Sequence, residues 1–434
     1  MLKSIYLMIA IIVISMPAHG QDNILSPEEA VRIALEKNYS VEINRRLKAI
    51  ADNNTSIGNA GFLPEINLSG NQNYQAMSVE QEFIDGRIVE SDAANSNSLN
   101  AEAEINWVVF DGMAMFNSYD RLKTISETYG VNLRAEMESA ASRVLDTYFS
   151  IVSENRLLEA DIERTDISRQ RVDIINSKYE LGTASKLELL QSMVDLNADS
   201  AAVIDRRARI DNLKESLAEL LASPVSNFKL IDTILVNSEL RLDSLSYYAE
   251  RENSAVQSAG LSITESEQYK KVVESGYYPE LSLYGGYSYS KSESESGFLV
   301  ENMTNGYNYG LSLRFNIFNG FNTRRQVENA GIERDIRQIA LIRVKDSINT
   351  RLNREYNLYS KNLRLLELES ANLEVARENM DIALERLRLG TYSAIEFREA
   401  QLGYTGALAR LIKARFEAFV SQKNLLRLSG LLMR

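Results

Sequence analysis

The stretch "GFLPEINLSG" (residues 61–70) puts a proline and an apolar/polar alternation at the end of a segment with helical periodicity. A near copy, "GYYPELSLYG", occupies 276–285, matching Pro64 to Pro279 at an offset of 215. The same offset pairs Ala34 and Asn38 of "ALEKN" with Ala249 and Asn253 of "AEREN". Downstream, "VFDG" (109–112) answers "IFNG" (317–320), and "LGT" (181–183) answers "LGT" (389–391), both at offset 208. Helices and strands thus keep register while one loop varies in length, and the chain reads as two tandem copies of one unit.

Each unit begins with a helix. In the first, Ser26 is the N-cap, Pro27 sits just inside, and Glu28 and Glu29 fill the first turn. That helix is expected to run to about Gly61, and its counterpart from Asp243 to Gly276. The period then changes to 2. Ile66, Leu68, Gly70, Gln72 and Tyr74 share one face, as do Leu99, Ala101, Ala103, Ile105, Trp107 and Val109. The second unit repeats this with Leu281, Leu283, Gly285, Tyr287 and Tyr289, then Tyr307, Tyr309, Leu311, Leu313, Phe315 and Ile317. The polar, acidic segments 76–97 and 290–306 between them read as loops. Residues 113–180 and 321–388 contain no proline and predict helices of roughly 100 Å at 1.5 Å per residue. A shorter helix returns after each "LGT".

The N-terminus "MLKSIYLMIAIIVISMPAHGQ" has a lysine, an apolar core from Ile5 to Ser15 and a small-residue ending. It reads as a secretory signal, residues 1–20, rather than a membrane span, which needs about 20 apolar residues. Removing it takes away His19, the one histidine, and Lys3, leaving 47 Lys and Arg against 60 Asp and Glu, a net charge of −13. The chain has no cysteine. Ser–His and Cys–His catalysis and His/Cys metal sites are therefore excluded, and no carboxylate pair sits at a Gly-rich or strand-end site. No catalytic residue, cofactor site or metal site is assigned. So acidic a chain also repels nucleic acid.

Ten-residue strands with one apolar face match the hydrocarbon thickness of an outer membrane. Tyr74, Trp107, Tyr287, Tyr289, Tyr307 and Tyr309 are the candidate interfacial aromatics. Four strands cannot close a barrel in lipid, so several chains must contribute, and three would give twelve strands. One long helix carries two apolar seams. Leu352, Tyr356, Tyr359, Leu363 and Leu366 form the first, and Leu358, Leu365, Leu368, Val375, Ile382 and Leu389 the second. A helix held between two neighbours in a cylinder needs both, and a core helix of a thick bundle would also show two.

The doubled order of "LPEINLSG"/"YPELSLYG", "VFDG"/"IFNG" and "LGT" turns resembles the TolC family of outer membrane factors, over roughly residues 25–430. The resemblance implies a mixed α/β membrane protein. Its homotrimer has a twelve-stranded β-barrel, four strands per chain, continued by a long α-helical barrel into the periplasm. The unit boundaries become 21–224 and 243–434, with 225–242 an equatorial linker. The implied role is a passive exit channel working with a periplasmic adaptor and an inner-membrane pump, exporting small toxic compounds or ions. A channel for type I protein secretion and a soluble periplasmic coiled-coil scaffold are the alternatives.

The resemblance places the tunnel end at the "LGT" turns. By matching position, adaptor contact falls to Leu181, Gly182, Thr183 and Ser185, and to Leu389, Gly390, Thr391 and Ser393. Glu396 and Glu399 share a helix face and match the family's acidic pore constriction, and Glu188 keeps the spacing in the first unit, where Gln191 replaces the second acid. Such a ring prefers cations. Where the family uses a tyrosine and an arginine to latch the aperture, this chain has Leu387 and Tyr392, with Arg386, Arg388 and Arg398 close by as candidates for that role.

Overall fold

The computed structural model describes residues 23–224, 228–295 and 299–433, with the side chains of residues 23 and 228 left aside. The signal segment 1–20 lies outside the described residues. The elements run β1 (Asn23–Leu25), α1 (Pro27–Lys37), α2 (Tyr39–Asn54), β2 (Glu65–Glu82), β3 (Ile88–Phe110), α3 (Ala114–Glu180) and α4 (Lys186–Leu221). Then come β4 (Phe228–Leu230), α5 (Leu242–Glu252), α6 (Ser254–Glu274), β5 (Glu280–Ser294), β6 (Glu301–Arg314), α7 (Asn322–Arg388) and α8 (Ala394–Leu428). Among the described residues no helix is long and apolar enough to cross a membrane.

The chain divides into two compact units. One holds residues 23–39, Ala140–Glu239 and Asn357–Lys423. Its core joins Leu25, Ala30 and Ala34 to Val144, Tyr148, Ile151 and Leu217. Ser26 caps α1 as expected, its Oγ accepting from the Glu29 amide at 3.1 Å. The segment expected to be a linker contains a strand that the sequence did not announce: β4 pairs in parallel with β1. Buried Tyr148 pins the pair, donating its hydroxyl to the Leu25 carbonyl (2.7 Å) and accepting from the Ile231 amide (2.8 Å).

The other unit holds Ser40–Ser139, Leu240–Tyr356 and residues 424–433. Its four-stranded antiparallel sheet has the order β2-β3-β5-β6, leaving β2 and β6 as edges. The register puts the apolar residues of all four strands on one face. Leu68 is opposite Ala103, Ala103 opposite Tyr287, and Tyr287 opposite Tyr307; Trp107 is opposite Leu283, which is opposite Leu311. The other face is lined by residues such as Asn67, Ser69, Asn71, Glu102, Glu104, Ser288 and Asn308. Leu68, Tyr307 and Tyr309 are 80% or more exposed in the single chain.

Three expectations need correction. The segments 76–97 and 290–306 are mostly strand, since β2 and β3 pair from Glu65↔Asn106 to Glu82↔Ile88, through an irregularity between Met77 and Val79, and β5 and β6 pair out to Glu293↔Glu301. Their polarity suggested loop, but a hairpin solvated on both faces needs no apolar alternation. At the other end β6 stops at Arg314, leaving Phe315 and Ile317 outside the strand. Finally, each opening helix is broken at its asparagine, and the first one ends at Asn54, short of Gly61. Asn38 and Asn253 leave helical geometry (ψ 129° and 123°), and their Nδ2 atoms donate to the Leu220 and Leu428 carbonyls, each at 2.9 Å. The two asparagines thus each tie a helix break to the end of a return helix, Asn38 to α4 and Asn253 to α8.

The strand-to-helix junctions are tight. Gly112 and Gly320 have φ +68° and +67°, and the residues after them, Met113 and Phe321, also adopt left-handed backbone. A Cβ on Gly112 would lie 2.7 Å from the Ser275 carbonyl oxygen. Pro64 and Pro279 stand immediately before β2 and β5, where a missing amide costs no ladder bond.

Candidate functional site

Both long hairpins turn on one motif, "LGTASKLE" at 181–188 and "LGTYSAIE" at 389–396. Gly182 and Gly390 adopt φ +74° and +76°, a left-handed conformation that glycine enters without penalty. The following threonine amide closes a Schellman turn, Thr183 to the Lys178 carbonyl at 2.8 Å and Thr391 to the Arg386 carbonyl at 3.0 Å. Leu181 and Leu389, and one turn later Leu187 and Ile395, project into solvent, each 69–79% exposed.

The serines start the return helices. Ser185 and Glu188 form a reciprocal capping box, with Glu188 N to Ser185 Oγ at 3.2 Å and Ser185 N to Glu188 Oε2 at 2.9 Å. Ser393 and Glu396 repeat it: Ser393 N donates to Glu396 Oε2 at 2.8 Å, and Glu396 N donates to Ser393 Oγ at 3.2 Å. The Ser393 amide, then its hydroxyl, hold the Glu396 carboxyl below the usual range. Two of the three expected constriction acids are therefore also helix caps. The Ser-x-x-Glu spacing was legible beforehand as that signal.

Glu399 is exposed and makes no such bond among the described residues. With Glu188, Gln191, Leu187, Ile395 and Leu402 it lines a groove of about 520 Å³ between the starts of α4 and α8. Glu396 does not line it.

Arg171, Asp195 and Arg398 also line the groove and belong to a charge network that sequence reasoning missed. Arg171, 1% exposed, pairs with Asp195 at 2.6 Å. Arg398 grips buried Asp199 with two hydrogen bonds (2.7 and 3.1 Å), and Ser168 Oγ (2.6 Å) and Arg164 (3.0 Å) complete the carboxylate's shell. Burial favours the neutral form of Asp199, but the hydrogen bonds from Arg398 and Ser168 and the nearby positive charges prevail and lower its pKa. Burial pushes the Arg171 guanidinium down, against the pull of Asp195. The sequence shows Asp195 and Asp199 one helical turn apart and Arg164, Ser168 and Arg171 on one stripe of α3. Only the packing of α3, α4 and α8 joins them.

At the two latch positions, Leu387 is fully buried and its carbonyl accepts from Lys178 Nζ at 2.7 Å. Tyr392 packs against the same cluster, which includes Ile175, Leu189, Met380 and Phe397. Arg386 and Arg388 are exposed, whereas Arg398 is committed to Asp199.

In the sheet, Tyr287, Tyr289, Tyr307 and Tyr309 form one patch on adjacent strands, with Tyr307 and Tyr309 stacked at 6.4 Å between centroids. Trp107 lies nearer the Arg314 end of the apolar face, its indole donating to the Phe62 carbonyl (2.9 Å), and Tyr74 lies toward the opposite end. Among the described residues no cluster of His, Cys, Asp or Glu has metal-binding geometry.

A sheet of amphipathic strands joined to two long helical hairpins defines a membrane-channel class of chain. The model of the outer membrane efflux protein family matches residues 33–223 and 245–431. The chain belongs to that family, a family of outer-membrane channels rather than enzymes, and is placed in the outer membrane. It is 22% identical over 311 residues to outer membrane protein TolC of Vibrio cholerae, covering 69% of each chain. It is 20% identical over 378 residues to nodulation protein T of Rhizobium leguminosarum bv. trifolii, covering 84% of this chain and 77% of that one. The Campylobacter jejuni CmeC outer membrane channel superposes with a TM-score of 0.77 at 16% identity, over 94% of this chain and 86% of that one.

Proposed function

We propose that three copies of this chain form a passive exit duct whose twelve-stranded barrel crosses the outer membrane and whose helices continue it through the periplasm. The observation that carries this reading is the four-stranded sheet, apolar on one exposed face and unpaired at both edges. Unpaired backbone groups do not persist in lipid, so closure requires sister subunits. From Leu281 to Tyr289 the apolar face of β5 extends about 26 Å along the strand at ~3.3 Å per residue, or about 20 Å of membrane depth at the ~35–45° tilt of outer-membrane barrels, most of their ~25 Å apolar band. The polar opposite face suits a wet lumen. On α7 the first seam is buried at Leu352 and Tyr359, while Leu358, Leu368, Val375 and Ile382 of the second are exposed, available to a neighbouring subunit.

In this reading the two units span 21–224 and 243–434, joined by 225–242. The exposed Leu181, Gly182, Thr183 and Ser185, with Leu389, Gly390, Thr391 and Ser393, receive a periplasmic adaptor that links the duct to an inner-membrane pump. Glu188, Glu396 and Glu399 supply an acidic constriction, with Glu399 its free carboxylate. Tyr74, Trp107 and the four tyrosines of β5 and β6 face outer-membrane lipid. The cargo is small toxic compounds or ions, selected by the pump. Conductance in a planar lipid bilayer tests the reading: cation-preferring single channels support it, and protein that leaves the bilayer silent and fractionates as soluble periplasmic material rejects it.

A further inference from the structure

The two free edges of the sheet have a property that a trimer alone does not require. β6 is 14 residues long, and the regular ladder of β2 covers 13, Glu65–Met77, before the irregularity between Met77 and Val79. We propose that β6 of one subunit pairs with β2 of the next in a single register, Arg314 opposite Glu65 through Glu301 opposite Ser78. This assignment rests on the trimeric barrel reading and specifies its seam.

Several independent features select this register. It uses every residue of β6, of which only Glu301, opposite Ser78, lies past the regular ladder of β2. On the apolar face it sets Leu313 against Ile66, Leu311 against Leu68 and Tyr309 against Gly70. The last pair covers a glycine with a tyrosine, as Tyr284 already covers Gly310 inside the sheet. On the polar face it sets Ser312 against Asn67, Asn308 against Asn71 and Thr304 against Gln75. A slip of one residue would turn apolar side chains toward the lumen. A slip of two in one direction removes the partner of Arg314; in the other it sets Glu301 against Glu80.

Charge and geometry agree. Among the described residues neither Glu65 nor Arg314 has an ion-pair partner, and the register makes them opposite charges across the seam, a favourable cross-strand pair. Within one subunit Ile66, Ile105, Gly285 and Tyr309 lie in one row. Tyr309 then meets Gly70 of the next subunit, four residues along from Ile66. Four residues of ~3.3 Å across four strands ~4.8 Å apart tilt the strands by about 35°, within the ~35–45° of membrane barrels.

The absence of native cysteine makes the test direct. Full-length chain carrying Leu68→Cys with Leu311→Cys, oxidised in detergent, should run as covalently linked trimer on a denaturing gel without reductant. Gly70→Cys with Leu311→Cys, the register two residues away, should link at least tenfold less. Preferential linkage of the second pair, or of neither, in protein that sediments as a trimer before oxidation overturns the register while leaving the barrel intact. Sedimentation as a monomer overturns both. Independently, Glu65→Arg and Arg314→Glu should each lower the assembled fraction, and the double exchange should restore it; an additive loss in the double variant counts against the pair.

Discussion

Replacing Arg398 by methionine removes both guanidinium hydrogen bonds, at 2.7 and 3.1 Å, from a carboxylate that remains buried. Breaking a buried pair from one side costs about 3–5 kcal/mol when nothing else compensates. Asp199 keeps the Ser168 hydroxyl and Arg164, so a loss of about 2–4 kcal/mol follows, felt where α4 and α8 begin. Converted at ~1.4 kcal/mol per decade, amide exchange there should speed up by roughly 30- to 1000-fold, with helix interiors far from the turns unchanged. Hydrogen exchange with peptide-resolved mass spectrometry reads this directly. Adding Asp199→Asn should recover much of the loss, because the uncompensated charge is gone. The pH sign is fixed by the lowered Asp199 pKa. The unfolded carboxylate binds protons first, so the pair's contribution is intact above the ordinary aspartate range and is lost as pH falls through the lower folded value. Unchanged protection in Arg398→Met, or a double variant as damaged as the two single losses combined, would refute the coupling.

The remaining predictions concern other points of the fold. Glu399→Gln should weaken cation preference in bilayer recordings more than Glu396→Gln does, because Glu396 is held in a cap; the reverse order contradicts the free-carboxylate assignment. Gly112→Ala must fit a Cβ 2.7 Å from a backbone oxygen at φ +68°, and should reduce the yield of assembled protein sharply, whereas Gly86→Ala, strained but in open space, should do so far less. Tyr148→Phe forfeits hydrogen bonds to Leu25 of β1 and to Ile231 just past β4 and should cost about 1–3 kcal/mol, seen as faster exchange at Ile231.

Where a segment is half-buried or regularly periodic, its sequence discloses its structure. Ile66 and Leu68 or Leu311 and Leu313 alternate with polar residues, which marks them as strand, and α3 and α7 begin one residue after the expected starts at 113 and 321. The hairpin beyond Tyr74 is wetted on both faces, so no alternation marked it. Asn38 and Asn253 stood out as a matched pair, yet their helix breaks depend on carbonyls 182 and 175 residues away. At the turns, Glu188 and Glu396 could be read from charge alone or from the Ser-x-x-Glu cap, and local hydrogen bonding uses the second property whatever the pore makes of the first. The Asp199 network needed three helices side by side, which no single stretch of sequence encodes.

Native mass spectrometry of the detergent-solubilised protein addresses the assembly most directly. Three chains per particle, stable only while detergent or lipid covers the apolar strands, is the predicted result; a single chain that stays dispersed and folded in plain buffer would contradict it.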